Sequence, residues 1–487
     1  MPVSIQYDFL HETNFYIHHS SYSLMESFDF DKVMEELQKS LKPYKNNSKE
    51  YRKIPDTGID GNDILGTLNK YSTEENRQWK AGRVSGAVYH GGSDLLDFLD
   101  RVYSVYSQSN PLHPDVWPSL TKFETEIVSM CARIMNGNES TRGVVSSGGT
   151  ESILLAMKAY RDYYRKVKGI TEPEIILPVS AHAAFLKACD YFCMKPVFVD
   201  LDENYIADIE KVKSAITKNT VAIVGSMPNF PYGTFDPVKE MSEIARDHGI
   251  GMHVDACLGG FIIPWAEKSG YPLPPFDFRL EGVTSISMDT HKYGFAPKGT
   301  SVVLYKNSEL FQNQLYATGT WKGGIYFTPT MAGSRPGYPI VAAWAVMLLM
   351  GSSGYQKSSK SILDTGKYII GEVRKIPELK LMGNPLWVVA LTSDAINPYS
   401  LMAEMGKKGW MLSGLANPPA FHIALTMRQT DPGVKEAYVR DLQESVRLMK
   451  GGEGKASGLA PVYGMASAMP REAVDLFLTN IVEWLYS

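Results

Sequence analysis

Along the middle of this 487-residue chain, short runs rich in Val and Ile alternate with stretches of helical periodicity, and that alternation narrows the available folds more than any other feature. Residues 174–179, 196–200, 221–225 and 251–255 read as strands, with helical patterns at 209–216 and 238–248. A helix after a strand carries the chain back to the starting edge, so the next strand runs parallel to the last. Runs this apolar suit strands covered by helices on both faces. The expected class is therefore α/β, built on a mainly parallel sheet.

The chain is too long for one ordinary core, and its pattern changes twice. Residues 1–115 carry polar runs such as Lys45-Asn-Asn-Ser-Lys-Glu50, with helical patterns near 30–41 and 95–105, and read as an arm or cap. Residues 116–355 begin with an amphipathic segment at 119–135 and hold the alternating units of the large domain. Residues 356–487 read as a smaller α+β domain, with helices at 361–374 and 398–408, strands at 387–392 and 420–426, and an apolar-faced helix near 471–485. The glycine-rich stretch 451–458 is a loop by composition. The apolar run 340–350 is too short to cross a bilayer and is expected as a buried helix.

A net charge of -4 and a pI near 6.2 give no general electrostatic reason to bind nucleic acid or an anionic membrane. Any phosphate must be met by local groups. Cys131, Cys189, Cys193 and Cys257 form no CxxC pair and no zinc-type cluster with histidine, which favours a reducing compartment and no structural metal. The first residues lack the basic start and apolar core of a signal peptide. A cytoplasmic or otherwise soluble protein without a transmembrane segment is expected.

Four motifs carry chemistry. Ser146-Ser-Gly-Gly-Thr-Glu-Ser152 precedes an apolar helical run; glycines admit an anion close to the backbone, and free amides at a helix start donate to it. A plain cap would need only one Ser or Thr. His253-Val-Asp-Ala256 ends a strand with Asp255 facing opposite to Val254, a position suited to a helix cap, a metal ligand or a partner for a ligand's cation. His182 lies in Ser180-Ala-His-Ala-Ala-Phe185, at a strand-to-helix turn among small residues that leave room for a flat ring; a structural histidine fits equally well. The loop Ser287-Met-Asp-Thr-His-Lys-Tyr-Gly-Phe-Ala-Pro-Lys-Gly299 sets Lys292 and Lys298 between two strand-like runs, near a sheet end where α/β enzymes build their sites.

A phosphate cradle, a flat-ring partner, a strand-end aspartate and a later lysine, in that order, match what pyridoxal 5'-phosphate requires. The order resembles the fold-type I pyridoxal-phosphate-dependent transferase fold. Ser85-Gly-Ala-Val-Tyr89, Asn110-Pro-Leu-His-Pro-Asp-Val-Trp-Pro-Ser119, Ser147-Gly-Gly-Thr-Glu-Ser152, Asp289-Thr-His-Lys-Tyr-Gly-Phe-Ala-Pro-Lys-Gly299, Gly323 to Gly337, Asn417 to His422 and Val462-Tyr-Gly-Met465 together resemble the sphingosine-1-phosphate lyases. That resemblance implies a carbon-carbon lyase that splits a phosphorylated sphingoid base into a long-chain aldehyde and phosphoethanolamine.

It also implies roles. Lys292 would hold the cofactor covalently, Asp255 would pair with its pyridine nitrogen, His182 would stack on its ring, and Gly149, Thr150 and His291 would hold its phosphate. The family's site is shared across a homodimer, with positions matching Tyr89, Asn110 and His113 reaching in from the partner and meeting the substrate phosphate together with Lys298. Ser334, Arg335 and Tyr463 match positions at the same entrance; Ser334 and Arg335 join the substrate-phosphate group, and Tyr463 joins Lys292, Lys298, Asp255 and His182 in the catalytic set. Either Lys292 or Lys298 could act as base. Eukaryotic members carry an N-terminal membrane helix, and none is read in this chain, which is expected to be either a soluble, bacterial-type member or a piece of a membrane-anchored parent. Group II amino-acid decarboxylases share the fold, the aspartate and the His-Lys pair, and are the rival reading; a fold kept as a non-catalytic scaffold would have lost some of these residues.

Overall fold

The computed structural model describes residues 30–45, 48–89, 91–451 and 471–487. Its centre is a seven-stranded sheet of β1 (Arg142–Ser146), β2 (Glu174–Pro178), β3 (Lys195–Val199), β4 (Thr220–Ser226), β5 (Gly251–Asp255), β6 (Ser285–Met288) and β7 (Ser301–Tyr305), in the order β1-β7-β6-β5-β4-β2-β3. Only β7 runs against the others; the remaining pairs along β6-β5-β4-β2-β3 are parallel. β2, β4 and β5 are buried along their whole length. Their alternate residues enter two separate cores: Ile175 and Leu177 face one, Ile176 the other. Helices on both faces make those cores, which is why the sequence runs are continuously apolar rather than alternating.

β1 has no counterpart among the strands expected from sequence. It is five residues long with Gly143 inside, a residue that weakens a strand signal, yet a Cβ there would lie 2.4 Å from Val303 O. The close approach of β7 requires the glycine. The hairpin of β8 (Tyr316–Thr318) and β9 (Tyr326–Thr328) is likewise too short to read from periodicity.

The smaller sheet is antiparallel, in the order β10 (Lys380–Leu381), β11 (Val388–Thr392), β13 (Ala420–Ala424), β12 (Ser413–Leu415). Helix Pro398–Lys407 packs with it and helix Val434–Lys450 packs on that helix, the first started by the Asn397 side chain, which accepts from the amides of Tyr399 and Ser400. Where the sequence suggests separate helices at 340–350 and 361–374, one helix, Tyr338–Val373, runs through both. It bends at Gly351, whose φ of 55° only glycine adopts cheaply, and it carries the chain past residue 355 from the large sheet toward the small one. This helix is long and apolar enough to cross a membrane, but half of its most apolar window is buried in the protein, with Ile340, Val346, Ile362 and Val373 in the core. It is a core helix.

Candidate active site

Six strands of the large sheet point the same way, so the segments leaving β1, β2, β4, β5 and β6 emerge along one edge, and β7 begins there. From β1 the chain enters helix Gly149–Lys168 through Gly148, and no side chain caps that end. Thr150 lies exposed in its first turn. A Cβ on Gly149 would meet both carboxylate oxygens of Asp289 at 2.8 and 2.9 Å and Cys257 Sγ at 3.0 Å; one on Gly148 would meet the His291 ring at 3.4 Å. The glycines let the helix start close against the loop after β6, with its amides free to meet an anion.

That loop is a tight, strained turn. Ala296 N donates to Thr290 O and Phe295 N to Lys292 O, and Phe295 sits at φ 61°, costly for a bulky residue. Tyr293 Oη donates to Leu425 O and Tyr355 Oη to Gly294 O, which hold the strained turn in place. Lys292 Nζ lies 2.9 Å from Oδ2 of buried Asp289, and His291 Nε2 lies 3.6 Å from the same oxygen. Burial opposes the Lys292 charge, but the Asp289 carboxylate outweighs it and holds the amine protonated well above the usual lysine range. Burial lowers the proton affinity of His291, whose Nδ1 is buried with no hydrogen-bond partner among the described residues.

Lys298, six residues on, is in the opposite state. Its Nζ stands 4.7 Å over the Tyr89 ring and makes no ion pair with a carboxylate among the described residues. Although the side chain reaches solvent, the protein crowded around it, and then the charge of Lys292, push it down to about 8. Two amines on one loop thus differ in proton affinity because only one has a carboxylate beside it.

Asp255 ends β5, buried, between Ser226 of β4 and Ser287 of β6. Its Oδ1 accepts from Cys257 N at 3.0 Å and Ser287 Oγ at 3.4 Å. His182 lies exposed after β2, its Nδ1 accepting from Ala184 N, with Phe230 edge-on 6.3 Å away. The free amides beside Gly149, the unpartnered His291 Nδ1 above Gly148, the lysine and the strand-end carboxylate fit pyridoxal phosphate by chemistry and position.

The remaining expected residues divide. Tyr89 was expected to reach in from a partner, and the structure corrects this: it lies buried against its own chain's Lys298 and Tyr293. The segment before it is pinned there, with Ser85 N bonded to Met411 O and Gly86 N to Ala424 O. Asn110 donates to Ser334 Oγ and accepts from Arg335 N, and exposed His113 sits on the same turn. Arg335 places its guanidinium on Glu124 and Val145 O, so its charge is already committed within the chain. No hydrogen bond, ion pair or ring contact joins this group to Lys292 or Lys298 among the described residues. Tyr463, the 462–465 motif and most of the loop 451–458 lie outside the described residues. Sequence reasoning missed a role for Asp289, three residues before Lys292; an acid at that spacing on a turn beside a suspected nucleophile was the available signal.

A family model described as the pyridoxal-dependent decarboxylase conserved domain matches residues 51–389. Sphingosine-1-phosphate lyase 1 of Mus musculus is 43% identical over 461 residues, covering 94% of this chain and 81% of that protein. Sphingosine-1-phosphate lyase of Saccharomyces cerevisiae is 42% identical over 467 residues, covering 93% and 79%. Among solved structures, the sphingosine-1-phosphate lyase of Burkholderia pseudomallei superimposes with a TM-score of 0.85 at 37% identity, over 91% of this chain and 99% of that one. Glutamate decarboxylase of Lactobacillus brevis, at 18% identity and a TM-score of 0.72 over 84% and 96%, shares the fold.

Proposed function

The chain belongs to the sphingosine-1-phosphate lyases, within the pyridoxal-dependent decarboxylase group, and from that premise we propose that it cleaves a phosphorylated long-chain base to a long-chain aldehyde and phosphoethanolamine. Its cofactor is pyridoxal 5'-phosphate. When bound, the cofactor supplies an electron-withdrawing ring that accepts the electron pair of a bond broken at the amine-bearing carbon.

Lys292 would hold the cofactor through its amine, Asp255 would pair with its ring nitrogen, His182 would cover its ring, and Gly149, Thr150 and His291 would receive its phosphate. Lys298 is the better base of the two lysines: with a pKa of about 8 it gives up its proton far more readily than Lys292, which Asp289 keeps charged. Taking the proton from the substrate hydroxyl turns that oxygen into a carbonyl as the neighbouring carbon-carbon bond breaks. In its charged form the same amine, beside Tyr89, attracts the substrate phosphate.

The observation that carries this reading is Lys298 itself, a second amine over an aromatic ring with no carboxylate partner among the described residues, for which decarboxylation offers no use. Mass spectrometry of products after incubation with sphingosine-1-phosphate, and separately with glutamate and tryptophan, tests it. Hexadecenal and phosphoethanolamine are expected; carbon dioxide from an amino acid without aldehyde would establish the decarboxylase instead.

A homodimer completes the proposal. Asn110 is hydrogen-bonded to Ser334, and among the described residues neither these two nor His113 makes a hydrogen bond or ion pair with Lys292 or Lys298 of the same chain, which leaves them available to a partner's site. Helix Gly61–Lys80 buries no residue and exposes Ile64, Leu65 and Leu68, and Ile325 near the hairpin is 81% exposed. The four free thiols and the negative net charge favour a soluble, cytoplasmic setting.

A further inference from the structure

Beneath Asp255 runs a line of hydrogen-bonding side chains that the chemistry above does not use. Tyr160 Oη lies 2.6 Å from Ser285 Oγ, which lies 2.7 Å from His253 Nδ1. His253 Nε2 lies 3.2 Å from Ser287 Oγ, which lies 3.4 Å from Asp255 Oδ1. All five side chains are buried. Strand geometry sets the line: His253 and Asp255 share one face of β5, and each stands in register with a serine of β6, His253 with Ser285 and Asp255 with Ser287. Tyr160 reaches in from helix Gly149–Lys168 across Gly251, where a Cβ would lie 2.2 Å from its ring.

Counting hydrogens gives the line a direction. An ionised carboxylate only accepts, so Ser287 donates to Asp255. Ser287 has then spent its one hydrogen and must accept from His253 Nε2, which therefore carries a hydrogen. A neutral imidazole has one N–H, so Nδ1 accepts from Ser285, and Ser285 accepts from Tyr160. Burial keeps the imidazole neutral, lowering its pKa to about 4. Both bonds from the protein to Asp255, from Ser287 and from Cys257 N, fall on Oδ1, which leaves Oδ2 for a ligand.

We propose that His253 is a positioning residue for the reaction: as the Nε2–H tautomer it holds the Ser287 hydroxyl on Asp255 Oδ1, and so fixes Oδ2 toward the pyridine nitrogen. The proposal rests on the cofactor role assigned to Asp255. A proton on Asp255 Oδ1 would reverse every bond in the line and place the imidazole hydrogen on Nδ1. The tautomer of His253 therefore reports whether Oδ1 is a bare acceptor.

The test begins with ¹⁵N-histidine NMR of the cofactor-free protein at neutral pH, the His253 signals being assigned by their loss in His253→Gln. A protonated Nε2 and a bare Nδ1 are expected; an Nδ1–H tautomer or an imidazolium overturns the proposal. In the loaded enzyme, His253→Phe and Ser287→Ala should lower kcat about 10- to 100-fold, the range seen when groups that orient a site's ligating residues are removed, with KM unchanged. The ¹⁵N signal of labelled cofactor should move toward the unprotonated ring nitrogen in both. His253→Gln keeps a donor near Nε2 and should recover part of kcat. Unchanged kcat and ring-nitrogen signal in Ser287→Ala, the smaller and safer change, overturn the proposal, as does a Gln variant no better than Phe. An Nε2–H tautomer in a protein that decarboxylates amino acids supports the proposal and overturns the lyase reading.

Discussion

Lys292 and Lys298 stand at the two ends of one loop, and the protein makes different chemical groups of them. Lys292 lies 2.9 Å from Asp289 and stays charged; Lys298 lies over the Tyr89 ring, without a carboxylate, and is pushed down to about 8. Both amines are crowded by protein, so desolvation alone does not separate them. A single buried carboxylate does, because an opposite charge close by outweighs the loss of water.

The largest effect should come from removing the first amine. Lys292→Ala is expected to abolish turnover together with the visible absorbance of added cofactor. Retention of both would end the distinction between the lysines. Lys298→Met should leave the absorbance intact and lower kcat by about 10²- to 10⁴-fold, the usual range for loss of a general base.

The pH profile of the unaltered enzyme sharpens the same contrast. A base must be unprotonated, so kcat/KM, which reports the free enzyme, should rise as pH passes through about 8 and level off above it. If Lys298 served only as a cation for the substrate phosphate, the sign would invert, with kcat level and KM rising above that pH. Loss of the rise in Lys298→Met would assign the titration to this residue.

Asp289→Asn attacks the comparison from the other side. Without the carboxylate, the Lys292 proton affinity should fall toward that of Lys298, and cofactor added to the cofactor-free protein at pH 7 should attach faster, read as growth of the visible band. A slower attachment would show that Asp289 serves to aim the amine rather than to charge it. The smallest effects belong to Tyr89. Tyr89→Phe keeps the ring and should bind substrate nearly as well; Tyr89→Leu should weaken binding by about 0.5–2 kcal/mol, the worth of the cation-ring contact.

How much of this was legible in the sequence follows from the range of each interaction. The Ser146–Ser152 turn, the strand ending in Asp255 and the loop with both lysines are local patterns, and the structure sets all three along one sheet edge, as parallel strands require. β1 and the β8-β9 hairpin were not legible, because three to five residues carry too little periodicity. Tyr89 was placed on the wrong chain, since nothing local to residue 89 records that Ser85 and Gly86 bond to Met411 and Ala424. Arg335 was expected at the entrance, and nothing local to residue 335 records that Glu124, far away in sequence, takes up its charge.

The sequence by itself determined the α/β class, the order of the site's parts and the family, since each depends on motifs of a few residues and their succession along the chain. Only the tertiary structure decided which lysine keeps its proton, which serines stand beside His253 and Asp255, and which charges are already spent. Proton affinity and hydrogen-bond direction are set by atoms within a few ångströms, and in a folded chain those atoms come from residues that sequence leaves far apart.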